Sequence, residues 1–376
     1  MRIVFVGGGT GGHFYPLIAI AEALIERAKA ELRVAPDLYY MGPDQYDAGS
    51  LFNSGITFIY CPAGKLRRYR SVLNIGDFFK ALYGTVVALY KLFVLYPDVI
   101  MSKGGYTSVP IVIAAWLLRI PIVVHESDAS VGRANLIAAK LATYIAITYD
   151  DTVQYLPEEK VALTGIPVRK ELLLPPSPNA RAELGLLTEK PLILVLGGSQ
   201  GAERVNDLIL TSLPDILPSF EVIHQTGVQN EKIVQQTAQA LLKGNEFLPH
   251  YHVKGFLDSR TLHNAESVAS LVISRAGSGS IYEIALHGKP SILIPIPEDI
   301  SHDQRKNAYA YARTGAAEVI EEKNLTPHLL MAEITRIMES QELYNKMSDS
   351  ARKFGVTDAA ERIADALVRI SDSHGS

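Results

Sequence analysis

"MRIVFVGGGTGGHFYP" (1–16) sets an apolar, β-branched run directly against a turn that holds Gly7, Gly8, Gly9, Gly11 and Gly12. An apolar run this continuous reads as a strand buried on both faces, the kind that parallel sheets use. A glycine turn between such a strand and a helix lets main-chain N–H groups approach an anion, and the helix dipole favours negative charge there. The same logic returns in "KPLILVLGGSQGAERVNDLI" (190–209): strand, glycine turn, helix. Two copies of one device in one chain imply two parallel α/β halves.

Working outward, strands are expected over 2–6, 37–41, 56–60, 98–101, 121–125, 144–148 and 160–163, then over 191–197, 220–224, 250–253, 270–274 and 291–295. Intervening segments such as 15–29 and 132–142 read as helices. The proline-rich, aperiodic "LTGIPVRKELLLPPSPNARAELGL" (163–186) reads as a linker and a domain start. The expected architecture is α/β: two Rossmann-like, doubly wound domains facing each other across a cleft, with both glycine turns at strand carboxyl ends. The expected boundaries are 1–164, 165–347 and 348–376, the last an amphipathic helix returning to the first domain before a disordered "SDSHGS" tail.

At 376 residues the chain exceeds one ordinary core, which agrees with two domains. Its 48% hydrophobic and 20% charged residues are those of a globular protein. Lys and Arg total 36 against 40 Asp and Glu, a formal charge of −4, which argues against a nucleic-acid partner. The single cysteine, Cys61, excludes an internal disulfide and a thiolate metal site, and a reducing cytosol fits. Residues 1–6 lead straight into the glycine turn and do not read as a signal peptide. "ALYGTVVALYKLFVLY" (81–96) and "VPIVIAAWLLRIPIVV" (109–124) are interrupted by Lys91 and Arg119. Both fall short of the roughly 20 apolar residues that span a bilayer, so no transmembrane helix is expected.

Gly7, Gly9 and Gly12 fit the G-x-G-x-x-G spacing of dinucleotide sites. Such a site adds an acidic residue at the tip of the second strand. Here that strand runs into "YYMGPDQ", which puts Asp44 beyond a turn, and His13 sits oddly beside a hydride carrier. No G-K-[ST] follows the glycines, so there is no Walker loop.

Seven motifs then follow in order: "GGTGGHFYP" (8–16), "KGGYTSVP" (103–110), "HESDASVGRAN" (125–135), "GIPVR" (165–169), "GGSQGA" (197–202), "SRAGSGSIYE" (274–283) and "DISHDQRKNA" (299–308). Across nearly the whole chain they resemble the sugar-nucleotide glycosyltransferases of GT-B fold. The best match is the bacterial family commonly called MurG, which adds N-acetylglucosamine to the lipid-linked peptidoglycan precursor. Within that superfamily, "GGTGGH" together with "GGSQGA" is specific to this family.

The resemblance implies that UDP-N-acetylglucosamine is held mostly by the second domain. Ser199 and the amides of "GGSQG" would take the diphosphate, although Ser199 also suits a plain helix N-cap. Arg169 would supply positive charge near the phosphates. Ser278, Gly279 and Ser280 would meet phosphate or sugar. Glu283, on the first turn of the helix they open, would accept the ribose hydroxyls; its other reading is a helix-dipole partner. Leu257 of "GFLD" would read uracil through its main chain. Asp303, Gln304 and Asn307 would bind the sugar hydroxyls, or else cap a helix and face water. Thr10, Gly11, Gly12 and Asp128 would border the donor. Gly9, Lys103, Gly104, Gly105 and Tyr106 would receive the acceptor, whose pyrophosphate suits glycine amides.

The family's reaction is an inverting displacement, in which the acceptor's 4-hydroxyl attacks the anomeric carbon and UDP leaves. His13 is the first candidate for the base, a role that a neutral imidazole fits. His125 and Glu126 close another strand, and either could serve as the base or orient His13. With no D-x-D motif and no His/Cys cluster, no metal and no cofactor are implied. Three features depart from the family pattern. Asp128 stands where Asn is usual, "SRAGSGSIYE" carries two extra small residues, and "KGGY" brings Lys103 beside the acceptor loop, to pair with pyrophosphate or simply be exposed.

"KLRRYRSVLNIGDFFKALYGTVVALYKLF" (65–93) mixes a basic cluster with apolar residues. Lys65, Arg67, Arg68 and Arg70 suit anionic lipid while Leu73, Ile75, Phe78 and Phe79 enter the interface; a core helix beside a solvated loop is the other reading. A lipid-linked acceptor favours peripheral attachment to the cytoplasmic face of the membrane. The alternatives are a related transferase with another lipid acceptor, a UDP-N-acetylglucosamine epimerase, and a non-catalytic nucleotide-sugar-binding protein.

Overall fold

The structure, a computed structural model, describes residues 1–64, 73–198 and 201–374. The chain forms two compact units, Met1–Leu173 with Thr357–Ser376, and Leu174–Val356.

The first unit runs β1 (Arg2–Gly7), α1 (Gly11–Ala30), β2 (Asp37–Gly42), α2 (Ala48–Asn53), β3 (Ile56–Tyr60), α3 (Leu73–Leu95), β4 (Val99–Gly104), α4 (Val109–Leu117), β5 (Ile122–Glu126), α5 (Arg133–Leu141), β6 (Tyr144–Ile147) and β7 (Val161–Leu163). Its strands are all parallel, in the order β3-β2-β1-β4-β5-β6-β7. Successive side chains of a strand point to opposite faces. Ile3 and Phe5 therefore pack with Leu17 and Leu24 of α1, while Val4 and Val6 pack with Ala88 and Leu92 of α3 and Ile111 of α4. Both faces are buried, so β1 has no polar alternation.

The second unit runs α6 (Ala180–Glu183), β8 (Leu192–Leu196), α7 (Glu203–Ile216), β9 (Glu221–Gln225), α8 (Glu231–Leu241), β10 (Tyr251–Lys254), α9 (Ser259–Val268), β11 (Ala269–Ser274), α10 (Ser278–Leu286), β12 (Ser291–Leu293), α11 (His302–Ala312), β13 (Ala317–Val319), α12 (Pro327–Glu339) and α13 (Gln341–Phe354). Its parallel sheet is ordered β10-β9-β8-β11-β12-β13. Ile193 and Val195 face Val205 and Ile209 of α7, and Leu192 and Leu194 face Ala265 of α9.

α14 (Ala359–His374) then returns to the first unit. Ile363 and Leu367 join the core of Ile3, Phe5 and Leu17, and Arg27 of α1 pairs with Asp365. The segment from 348 onward is two helices rather than one, because Gly355 ends α13.

Three further expectations change. The chain passes into the second unit after Leu173, not at 165, so Arg169 belongs to the first. β13 is not predicted by the sequence pattern, because it is three residues long with Glu318 at its centre. Gly76–Leu95 of α3 is, by length and composition, long and apolar enough to cross a membrane. The charge of Lys91 does not divide it, since the side chain reaches back to donate to the Tyr60 carbonyl at 2.6 Å. One face of α3 is nonetheless packed on the unit through Ala88 and Leu92.

In each sheet the strand order turns about a central pair, β1/β4 and β8/β11. Ligands of open α/β sheets bind beyond the carboxyl ends of strands at such a reversal. "GGGTGG" and "KGGY" follow the first pair, and "GGSQGA" and "SRAGSG" follow the second.

Leu367→Ala should cost about 2–5 kcal/mol of stability, since it opens a void between α14 and the sheet. Urea denaturation of the full chain measures this, and a loss below about 1 kcal/mol would mean that α14 is not an integral part of that core.

Candidate active site

The turn after β1 is held from below. Tyr40 donates its hydroxyl to the Gly7 carbonyl, and the Tyr40 ring packs edge-on against Phe14 with centroids 5.4 Å apart. Gly9 and Gly105 take positive φ, +88° and +79°. A Cβ on Gly105 would stand 3.0 Å from the Gly8 carbonyl oxygen, so the two glycine loops can lie this close only without side chains. Thr10 is the N-cap of α1 and makes no side-chain cap bond. Its hydroxyl instead meets Nδ1 of His13 at 2.8 Å. His13 is half-buried. Burial, then the charge of Lys103, pulls its pKa down to about 4, so the ring is neutral over the physiological range. With Nδ1–H donating to Thr10, Nε2 keeps its lone pair and can accept a proton.

Lys103 is not an exposed arm. It is 1% exposed at the end of β4, and Nζ donates to Ser127 Oγ at 2.9 Å. Burial lowers its pKa, against the opposing charges of Glu126 and Asp128. Its stem runs beside the turn: a Cβ on Gly7 would lie 2.9 Å from Lys103 Cβ. Tyr106 is half-buried beside Gly9, and Gly104 is fully buried.

His125 and Glu126 end β5 with their side chains turned inward. His125 is 0% exposed and donates Nε2–H to the Gly165 carbonyl at 2.8 Å. Burial, then Lys103, holds its pKa well below the usual histidine range. Glu126 accepts from Asp128 N–H at 3.0 Å, Gly132 N–H at 3.0 Å and Asn135 Nδ2 at 2.9 Å. Burial, then the charge of Asp128, raises its pKa, and Lys103 opposes this. These contacts fasten the loop that joins β5 to α5, and neither group is presented as a base. Asp128 is half-buried on that loop. Asn135 and Ser127 complete the network; both stand within "HESDASVGRAN" but are not among the residues that the sequence predicts for the site. The signal was there, in two short polar side chains next to buried charges. Arg169 stacks its guanidinium 4.7 Å from the Tyr15 ring centroid and lies 3.6 Å from Glu171. It therefore stands near the start of α1, in the first unit.

In the second unit Ser199 lies outside the described residues. Gly198 and Gly201 flank it with φ of +81° and +79°. Gly277 is the N-cap of α10 and brings no side-chain cap, which leaves the first-turn amides at Ser278, Gly279 and Ser280 for another acceptor. Gly279 is exposed and both serines are half-exposed. α10 starts at Ser278, so Glu283 is on its second turn, not the first. That removes the helix-dipole reading, since the effect fades beyond the first turn. Leu257 is buried and its N–H already donates to Gln225 Oε1 at 3.2 Å. Gln304 Oε1 accepts from Ala276 N–H and Ile296 N–H, both at 3.2 Å. Asn307 is 1% exposed and donates to the Ala276 carbonyl at 3.3 Å. Both pin the "SRAG" loop, and neither simply faces water. Asp303 is half-buried on the first turn of α11.

Two domain models of glycosyltransferase family 28 match the chain, the N-terminal domain over residues 3–147 and the C-terminal domain over 192–363. A UDP-N-acetylglucosamine–N-acetylmuramyl-(pentapeptide) pyrophosphoryl-undecaprenol N-acetylglucosamine transferase of Bacillus cereus is 36% identical over 345 residues, 91% of this chain and 93% of that one. The enzyme of that name from Treponema pallidum is 36% identical over 97% of this chain and 94% of its own. The crystal structure of Acinetobacter baumannii MurG matches with a TM-score of 0.75 at 23% identity, covering 98% of this chain and 99% of that one. The chain belongs to the MurG family of glycosyltransferases. A UDP-N-acetylglucosamine 2-epimerase from Neisseria meningitidis shares the fold at a TM-score of 0.69 and 16% identity, covering 98% of this chain and all (100%) of that one. The MurG-family motifs of this chain gather at two places, the ends of β1, β4 and β5 in one unit and of β8 and β11 in the other.

Glu126→Ala would strand three N–H donors and take away a counter-charge of Lys103. It should destabilise the protein by about 3–5 kcal/mol. Thermal unfolding tests this, and an unchanged melting temperature would remove the network from its structural role.

Proposed function

We propose that this MurG-family enzyme moves N-acetylglucosamine from UDP-N-acetylglucosamine to the 4-hydroxyl of the muramyl sugar of undecaprenyl-pyrophosphoryl-muramyl-pentapeptide, a step of peptidoglycan synthesis. The observation that carries the reading is His13, neutral and tied to Thr10 at the mouth of a glycine turn. Its Nε2 takes the proton of the acceptor hydroxyl as the new O–C bond forms at the anomeric carbon. The bond from that carbon to the diphosphate breaks with inversion, and UDP leaves with the electron pair. The uncapped amides at Ser278, Gly279 and Ser280 receive the growing negative charge. Glu283 accepts the ribose hydroxyls, Leu257 lies beside the uracil, and Thr10, Gly11 and Gly12 border the transferred sugar. Gly9, Gly105 and Tyr106 receive the acceptor. Lys103 acts from within, adding its charge to the burial that keeps His13 unprotonated, rather than pairing with acceptor phosphate.

We assign the lipid-facing surface to α3 and the end of α4. Phe78, Phe79, Leu82 and Tyr83 are exposed on α3 and Trp116 on α4. Aromatic and aliphatic side chains at one surface suit the interface of a bilayer. The basic cluster Lys65, Arg67, Arg68 and Arg70 lies outside the described residues. These exposed side chains support a peripheral attachment, on the cytoplasmic side of the membrane, as our reading.

The test is incubation with both substrates while UDP release and the disaccharide lipid are followed together; donor consumption without that lipid would overturn the reading. His13→Ala should cut turnover about 100-fold or more and leave UDP binding intact. Because the base form of His13 is the neutral one and its pKa is about 4, turnover should hold down to about pH 5 and fail as pH drops through about 4. A limb near 6.5 in the pH–rate profile would point to an unperturbed histidine instead. Phe79→Glu with Tyr83→Glu should lower co-sedimentation with anionic vesicles about tenfold or more, as two buried aromatic contacts become charges.

A further inference from the structure

The loop that opens α10 begins with Arg275, a cation that the proposed reaction does not use. It directly follows β11, and its bonds run sideways along the carboxyl edge of the sheet. The Arg275 main-chain N–H donates to the Leu196 carbonyl at the end of β8, at 3.3 Å. Nη1 of its guanidinium donates to the carbonyls of Ile294 and Pro295, just beyond β12, at 3.2 and 3.5 Å. The same Nη1 lies 2.7 Å from Oε2 of Glu322, which follows β13. Arg275 thus joins the ends of β8, β11, β12 and β13.

Glu322 is itself firmly placed. Its side chain is 9% exposed, against 14% for Arg275. Just before it, Ile320 is buried and donates its N–H to the Leu293 carbonyl at 3.0 Å. Glu321 accepts from Arg305 Nε at 2.9 Å and from the Tyr309 hydroxyl at 2.8 Å, both on α11. The second oxygen of Glu322, Oε1, lies 3.4 Å from Nε of Arg204 on the first turn of α7. Arg204 is 69% exposed, where an ion pair is worth little, so the pair with Arg275 carries the effect.

A buried ion pair adds little net stability, but it holds two side chains in one geometry. The planar guanidinium suits that task, because its donors are fixed relative to one another. From Arg275 only Ala276 and Gly277 intervene before the uncapped turn of α10. A Cβ on Gly277 or on Gly279 would meet no atom within 4 Å, so nothing packs against the turn on those sides. Its position depends on the anchors just upstream, Arg275 through Glu322 and Ala276 through Gln304 and Asn307.

We propose that Glu322 is a positioning residue for the donor. By fixing the guanidinium of Arg275 along the sheet edge, it sets where the amides of Ser278, Gly279 and Ser280 stand, and so governs affinity for the diphosphate rather than for the nucleoside. The inference rests on the reading of those amides as the seat of the diphosphate.

Calorimetric titration of the full chain with UDP, and with uridine by competition against UDP, tests it. The ratio of the two affinities reads the diphosphate alone. Glu322→Ala should weaken UDP about tenfold, the worth of one charge-assisted hydrogen bond, and leave uridine unchanged. A general loss of structure would weaken both ligands together. Glu322→Gln should keep the ratio within about twofold, because its amide oxygen still accepts from Arg275. A ratio unchanged in Glu322→Ala would overturn the proposal. So would a ratio lost in Glu322→Gln, since the effect would then come from charge and not from geometry. Ser278→Pro separates the two layers. It removes one amide N–H at the first helical position, which accommodates proline, and the Gly277 ψ of 139° suits a proline after it. If Ser278→Pro keeps the ratio, the diphosphate reading fails and the inference falls with it. If it lowers the ratio while Glu322→Ala does not, the inference alone fails. Should Glu322→Ala not fold, Glu322→Asp decides: it keeps the charge one methylene short of Arg275, and an unchanged ratio there would overturn the proposal.

Discussion

A strand walled by helices on both faces meets water only at its ends. That constraint organises this protein. Ile3, Val4, Phe5 and Val6 are all fully buried, and the same holds for Leu192 through Val195, so no substrate can approach the middle of either sheet. Chemistry is pushed to the loops at the carboxyl ends, where strand order reverses and neighbouring loops diverge. Glycine is the residue that lets those loops stay close together while main-chain amides remain free to face an anion.

Behind the first pair of loops, the interior is unusually rich in ionisable groups. Lys103, His125 and Glu126 are all buried within a few residues of the strand ends. Such groups give little net stability, since desolvation offsets most of their attraction. What they supply is order. Glu126 fixes the path from β5 to α5 through three donors, and Lys103 fixes Ser127 while its charge adds to the burial that keeps the nearby imidazole uncharged. The second unit also buries a carboxyl, Glu266 of α9, whose pKa burial raises well above the usual range.

Much of the architecture was legible because parallel strands announce themselves. The runs around Ile3, Leu192 and Val272 are apolar at every position, a pattern that helices rarely sustain without a polar face. β13 was not legible: Ala317–Val319 is too short to show a period, and pairing with β12 defines it. The start of α10 misled for a local reason. The glycines of "SRAGSGS" do not all precede the helix; Gly277 is the cap and Gly279 is inside it, which moves Glu283 one turn along. Side-chain roles were least legible where a partner is distant in sequence. Nothing near "KGGY" states that Lys103 will meet Ser127, 24 positions on. Gln304 and Asn307 read as surface polar groups until the "SRAG" loop is placed against them. In α3, a lysine that looks like an interruption instead sends its ammonium to a carbonyl at the helix edge.

The route of the chain also sets an order of assembly. Residues 174–356 form a unit without help from either end of the chain, whereas the unit that begins at Met1 lacks part of one wall until Ile363 and Leu367 are in place. During synthesis the first strands made must therefore wait, one apolar face unfinished, until the second unit has been translated in full. The usual rule that the N-terminal part of a chain is completed first does not hold for this unit, because α14, which follows the second unit in the chain, closes its core.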